Sequence, residues 1–152
     1  MFKKNFQCAV ILLAVIGVTN SQLYAIDEIY TSSFSSTAVE GYDVVSYFDS
    51  DEPKKGNTEF STTYKKATWL FSTQENLEKF KVNPEQYAPQ FGGHCAWAAS
   101  EGYIAKGDPN YWEVYEGKLY LNYNASIKQK WSVEKSRHIS KGNKNWPNIL
   151  TQ

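Results

Sequence analysis

The residues best suited to chemistry lie in one short run, Gln90-Phe91-Gly92-Gly93-His94-Cys95-Ala96-Trp97. A thiol beside an imidazole can ligate Cu(I), Cu(II) or Zn(II), and a thiolate can also act as nucleophile or redox centre. Cys95 enters an alanine-rich stretch expected to be helical from His94 to Ser100, so free N–H groups and the helix dipole there would favour the thiolate and lower its pKa. Gly92 and Gly93 permit the tight backbone needed to aim those groups at the sulfur or at a bound anion. The competing reading is structural, since free cysteine is among the most buried residue types. A stable metal site needs three or four ligands, and beyond His94 and Cys95 the chain offers only one more histidine, His138, and no methionine after Met1. His138 falls near the expected end of the last helix, where a favourable dipole interaction accounts for it.

Other side chains have paired readings. Asp43 either orients His94 or binds a ligand, or it caps a turn. Tyr42, Tyr87, Trp97 and Trp112 either line an aromatic pocket or fill the core; aromatic residues are 16% of the chain, so rings must carry much of the burial. There is no Gly-x-Ser-x-Gly, phosphate loop or His-Glu-x-x-His. That leaves binding a better reading than hydrolase or nucleotide-dependent chemistry.

The elements that must hold these residues begin after an N-terminal segment of a different kind. Lys3 and Lys4, the apolar stretch from Cys8 to Val18 and the triplet Leu23-Tyr24-Ala25 have the layout of a secretory signal cleaved after Ala25. The apolar stretch is about half the ~20 residues of a membrane-spanning helix. The expectation is a periplasmic or secreted protein with no membrane insertion of the mature chain, which keeps one cysteine and so no internal disulfide. Loss of Lys3 and Lys4 leaves 14 basic against 16 acidic residues, a balance that does not suggest nucleic acid as a partner. The expected partners are a small ligand, a metal ion or an envelope protein.

Residues 26–38, rich in Ser and Thr without periodicity, read as a flexible arm, and residues 39–152 as one domain. Val44 to Phe48 is β-branched and aromatic and reads as a strand, part of an extended Tyr42 to Phe48 segment; Glu59 to Tyr64 and Thr68 to Phe71 form a hairpin. Ser72 with Glu75 is a capping-box signature for a helix stopped at Asn83 by Pro84. A helical turn over Glu85 to Ala88 follows. Tyr111 to Tyr115 and Lys118 to Tyr123 form a second hairpin around Glu116-Gly117, and Asn124 caps a last helix from Ala125 to about Ile139, closed by Gly142. Asn145-Trp146-Pro147 is expected to tuck back onto the body. Strands and helices are segregated, so the class is α+β: a small antiparallel sheet packed with several short helices.

Gly41-Tyr42-Asp43-Val44-Val45-Ser46-Tyr47-Phe48, Trp69-Leu70-Phe71-Ser72, Phe80-Lys81-Val82-Asn83-Pro84-Glu85-Gln86-Tyr87 and Phe91-Gly92-Gly93-His94-Cys95-Ala96 together resemble the exported YHS domain-containing proteins. So do Gly117 to Asn124 and Asn145-Trp146-Pro147. The resemblance implies a YHS-like fold. It also implies a link to metal handling, because YHS domains and their relatives often place two cysteines around the strand-to-helix turn. Here those positions correspond to Ser72 and Asn76, so metal binding is not inherited from the fold name. Two functions remain: an exported YHS-type binding or accessory module holding a soft metal ion or small ligand near His94 and Cys95, or a single-cysteine thiol redox protein that relies on an external resolving thiol.

Overall fold

The computed structural model describes residues 26–151, so the signal-peptide expectation for residues 1–25 lies outside the described residues. Among the described residues the chain folds as α+β, with two separate two-stranded antiparallel sheets rather than one small sheet, and six α-helices around them.

The first departure from the sequence expectation is at Val44 to Phe48. Instead of a strand, Ser46–Asp49 forms a short helix, α1. The cause is Asp43: its Oδ1 accepts the N–H groups of Val45, at 2.9 Å, and Ser46, at 3.4 Å. A side chain that satisfies the free N–H groups of a first turn favours helix at that point. Here it outweighs the β preference of Val44 and Val45, whose propensity is only a weak prior.

Strand β1 (Asn57–Tyr64) pairs with β2 (Ala67–Phe71), with an irregularity between Asn57 and Ser61. Gly56 is obligatory beside this hairpin, because a Cβ there would come 2.4 Å from the Leu70 carbonyl carbon. Helix α2 (Gln74–Val82) follows, capped by Thr73, whose Oγ1 accepts the Asn76 N–H at 3.1 Å. The expected cap, Ser72, lies one residue early because its hydroxyl is committed to Asp43. Helix α3 (Pro84–Tyr87) starts on the proline, as Pro at the first helical position allows.

After a 3₁₀ turn at Gln90–Gly93 comes α4 (Ala96–Ser100), then the hairpin β3 (Asp108–Tyr115) and β4 (Lys118–Asn122). Asn124 caps α5 (Ala125–Val133), its Oδ1 accepting the Ile127 N–H at 2.9 Å. The expected single last helix is broken at Glu134, and α6 (Lys135–Ile149) runs on through Gly142 and Pro147. Gly142 does not end it. A Cβ there would come 2.6 Å from the Phe91 ring, so the missing side chain lets that ring seat against the helix.

Two aromatic clusters form the core. One gathers Val44, Val45, Tyr47, Trp69, Phe71, Phe80, Leu119 and Leu121; the other gathers Phe91, Ala96, Ala99, Tyr120 and Trp131. The Tyr47 hydroxyl, buried and held well above its ordinary pKa by desolvation, donates to the Pro109 carbonyl at 3.0 Å and ties α1 to β3. Residues 26–38 lie against this body: Ile29 is buried, the Tyr30 N–H donates to the Gly92 carbonyl at 2.8 Å, and Thr37 bridges Thr68.

Candidate functional site

The Gly-Gly turn decides where His94 and Cys95 point. Phe91, Gly92 and Gly93 all take left-handed backbone, at φ 54°, 60° and 84°. Glycine adopts that region without steric cost. Gly92 has a second reason to lack a side chain, since a Cβ would collide with the Glu28 carbonyl of the incoming N-terminal segment. The chain leaves the turn extended: His94 has φ −69° and ψ 161°, and Cys95 φ −61° and ψ 119°. Successive side chains on extended backbone point to opposite faces, and these two do.

The His94 ring packs edge-on to Tyr30 with centroids 5.4 Å apart and against Trp146 at 5.6 Å; its Nε2 is 3.3 Å from the Asp27 carbonyl oxygen. Burial lowers its pKa, against the Asp27 and Ala105 carbonyls that raise it. Its Nδ1 is buried without a partner. Cys95 faces the other way, towards β4 and α5. Its N–H donates to the Ala105 carbonyl at 2.9 Å, and its thiol points at Asn122 Oδ1, 3.8 Å away. The same oxygen accepts the Trp97 N–H at 3.3 Å.

Desolvation pushes the Cys95 thiol up, and the Ala98, Tyr123 and Trp97 N–H groups, which pull it down, do not offset it. This corrects the expectation of an activated thiolate. The sequence placed backbone donors near the sulfur, but α4 is a single short turn and the residue is 1% exposed. Burial favours the neutral thiol and wins.

The sulfur forms the floor of a cleft of about 220 Å³ whose walls are Trp97, Ala98, Tyr103, Ala105, Tyr123 and Ile127. Trp97 and Tyr103 stand edge to face with centroids 6.3 Å apart. Of the residues singled out from sequence, only Cys95 and Trp97 meet here. Tyr42 packs against the core and lies under Lys55, whose Nζ is 3.9 Å from its ring centroid. Tyr103, Ala105, Tyr123 and Ile127 were not anticipated as site residues; Tyr123 left a trace in sharing the alternation of Leu119 and Leu121, and Ile127 in its inward-facing position on the last helix.

Asp43 is elsewhere and does not touch His94. It is fully buried, and besides the two α1 N–H groups its Oδ2 accepts the Ser72 N–H at 2.8 Å, the Ser72 hydroxyl at 2.6 Å and Asn76 Nδ2 at 2.7 Å. The positions that correspond to the cysteine pair of metal-handling relatives are therefore donors to an internal carboxylate. They do not fit a metal ion, because their polar atoms are already consumed. Nor do His94 and Cys95 fit copper or zinc as a pair, since their side chains diverge. Among the described residues no group of three or more His, Cys, Asp or Glu side chains is placed to hold a metal ion.

His138 also differs from expectation. It lies in the first turns of α6, where the dipole disfavours a cation, and its Nδ1 is 2.9 Å from Ser100 Oγ. Burial lowers its pKa, opposed by Glu101. Ser100 is buried, with its hydroxyl also 2.7 Å from the Trp97 carbonyl oxygen, so this contact joins α4 to α6.

Fold and site together define a small α+β domain with a buried thiol at the base of an aromatic cleft. Residues 45–91 match the family model of the YHS domain, so over that stretch the chain is similar to YHS domain-containing proteins. The match runs from the start of α1 to the edge of the Gly-Gly turn and stops short of every residue lining the cleft. No curated protein and no solved structure matches the chain significantly. Among the described residues, no helix is long and apolar enough to cross a membrane.

Proposed function

We propose that this chain is an exported binding module of YHS type whose ligand site is the Cys95 cleft and whose ligand is a small, largely apolar molecule. The observation that carries this reading is the cleft itself: about 220 Å³, walled by Trp97, Tyr103, Tyr123 and Ile127 and open beside exposed Tyr103 and Tyr123. Apolar, aromatic-lined concavities with few polar groups are the usual form of small-molecule sites. At ~30 Å³ per water, the space suits one substituted six-membered ring rather than a long chain. The divergence of His94 and Cys95 argues for such a ligand over a soft metal ion. The raised thiol pKa argues against a redox role that depends on thiolate.

The test is a fragment screen by heteronuclear NMR on the mature protein. Neutral single-ring compounds should shift amide resonances around Ala98, Ala105 and Ile127, and Ala105→Leu, which fills the cleft from a half-buried position, should abolish those shifts while leaving the rest of the spectrum in place. Shifts confined to other surfaces would overturn the reading. Export is tested separately, by N-terminal sequencing of protein from the cell envelope, where the first residue should be Ile26.

A further inference from the structure

We infer that the preferred ligands of the cleft are small hydrophobic carboxylates, held by an apolar body in the cleft and by an anionic head at its rim; this rests on the cleft being the binding site. Two ammonium groups stand over two of its walls. Lys106 Nζ is 5.9 Å from the centroid of the Tyr123 ring, and Lys130 Nζ is 5.7 Å from that of Trp97. Both positions follow from the chain: Lys106 adjoins Ala105 of the lining, and Lys130 sits one turn beyond Ile127 on α5, on the same face.

Both lysines are exposed, and neither takes part in an ion pair among the described residues. Glu101, which acts on Tyr103, is already bound to Lys141 Nζ at 2.8 Å. The rim thus carries two uncompensated positive charges above an apolar interior. A ring in the cleft would displace water while its carboxylate stayed at the partly solvated mouth. No charge need then be buried, and the large desolvation cost of an interior ion is avoided. The same two charges repel a cationic ligand of equal shape. Neutral ligands gain only the apolar contact.

The experiment measures the affinities of phenylacetate, phenylacetamide and phenethylammonium for the mature protein and for Lys106→Gln/Lys130→Gln, at low and high salt. Each exposed ammonium contributes at most about fivefold, so phenylacetate should bind about tenfold tighter than phenylacetamide, with phenethylammonium weakest. The preference should shrink in ~1 M salt, where the screening length is about 3 Å, and the double variant should lose it without changing phenylacetamide affinity. If acid and amide bind equally, or the double variant keeps the preference, the charge selection is wrong and the cleft remains the site. If none of the three perturbs the cleft resonances, the inference fails together with the site.

Discussion

Asn122 Oδ1 lies 3.8 Å from Cys95 Sγ and is the acceptor that the buried thiol faces. The contact joins the last residue of β4 to the residue before α4, across a bridge between Cys95 and Leu121. An amide oxygen rewards the protonated thiol, because a thiolate there would meet a lone pair instead of a donor. Asn122 therefore acts in the same direction as burial, and the cleft floor is a neutral, polarisable surface.

One consequence is slow chemistry at Cys95. Iodoacetamide at pH 7 is expected to alkylate it at least tenfold more slowly in the folded protein than in urea, and a cleft ligand should slow it further. Asn122→Ala removes the acceptor and should raise the labelling rate. Fast labelling of the native protein, matched by free cysteine, would show that the thiol is activated after all.

Asp43 receives five hydrogen bonds, from the N–H groups of Val45, Ser46 and Ser72, the Ser72 hydroxyl and Asn76 Nδ2. Hydrogen bonds to a charged group contribute about 1.5–3 kcal/mol each, and a buried donor left alone costs about 1–3 kcal/mol. Asp43→Ala should therefore destabilise by more than ~3 kcal/mol in urea titration, and Asn76→Ala by about 1.5–3 kcal/mol. Replacing Ser72 and Asn76 together with cysteine should cost stability without creating a zinc site, because the carboxylate would lose its donors. Stoichiometric zinc retention by that variant would refute the assignment of this network as purely structural.

How much of this was legible in the sequence depended on whether the signal was local. Both hairpins, the Asn124 cap and the stop at Asn83 followed from turn chemistry and alternation, which act within a few residues. Val44 to Phe48 was misread because the capping carboxylate of Asp43 outweighs β-branched propensity, and Gly142 because its reason is a ring from Phe91, 51 positions earlier in the chain. The run around Cys95 was the right place to look, but the sign of its pKa shift depends on burial by β4 and α5. No local pattern records that.

Gly142 offers a direct measure of this long-range packing. Alanine normally gains about 1 kcal/mol over glycine inside a helix. Here its Cβ would stand 2.6 Å from the Phe91 ring, which is itself packed against Trp146 with centroids 5.6 Å apart. Overpacking of that kind costs about 1–3 kcal/mol, so Gly142→Ala should lower stability overall. Combined with Phe91→Leu, the same alanine should be neutral or stabilising, and a double-mutant cycle in urea would reveal the coupling. Additive effects would mean that the ring moves aside freely.

The two histidines set the acid side of the stability profile. Burial lowers the folded-state pKa of both His94 and His138 below the ordinary value of 6.5. Between the lowered and the ordinary value the unfolded chain binds more protons than the folded one, so stability rises with pH there. The contribution is fully present above about pH 6.5 and is lost as pH falls below it, at up to about 1.4 kcal/mol per pH unit for each histidine, until the folded pKa is passed. His94 should carry much of this loss, since its ring is the more deeply buried and its Nδ1 has no hydrogen-bond partner. Urea midpoints at pH 7.5 and 5.5 should show the loss in the native sequence and a clearly smaller one in His94→Gln, whatever that variant's stability at pH 7.5. Equal losses in the two proteins would place the acid sensitivity elsewhere, with His138 at the α4–α6 contact the next group to replace.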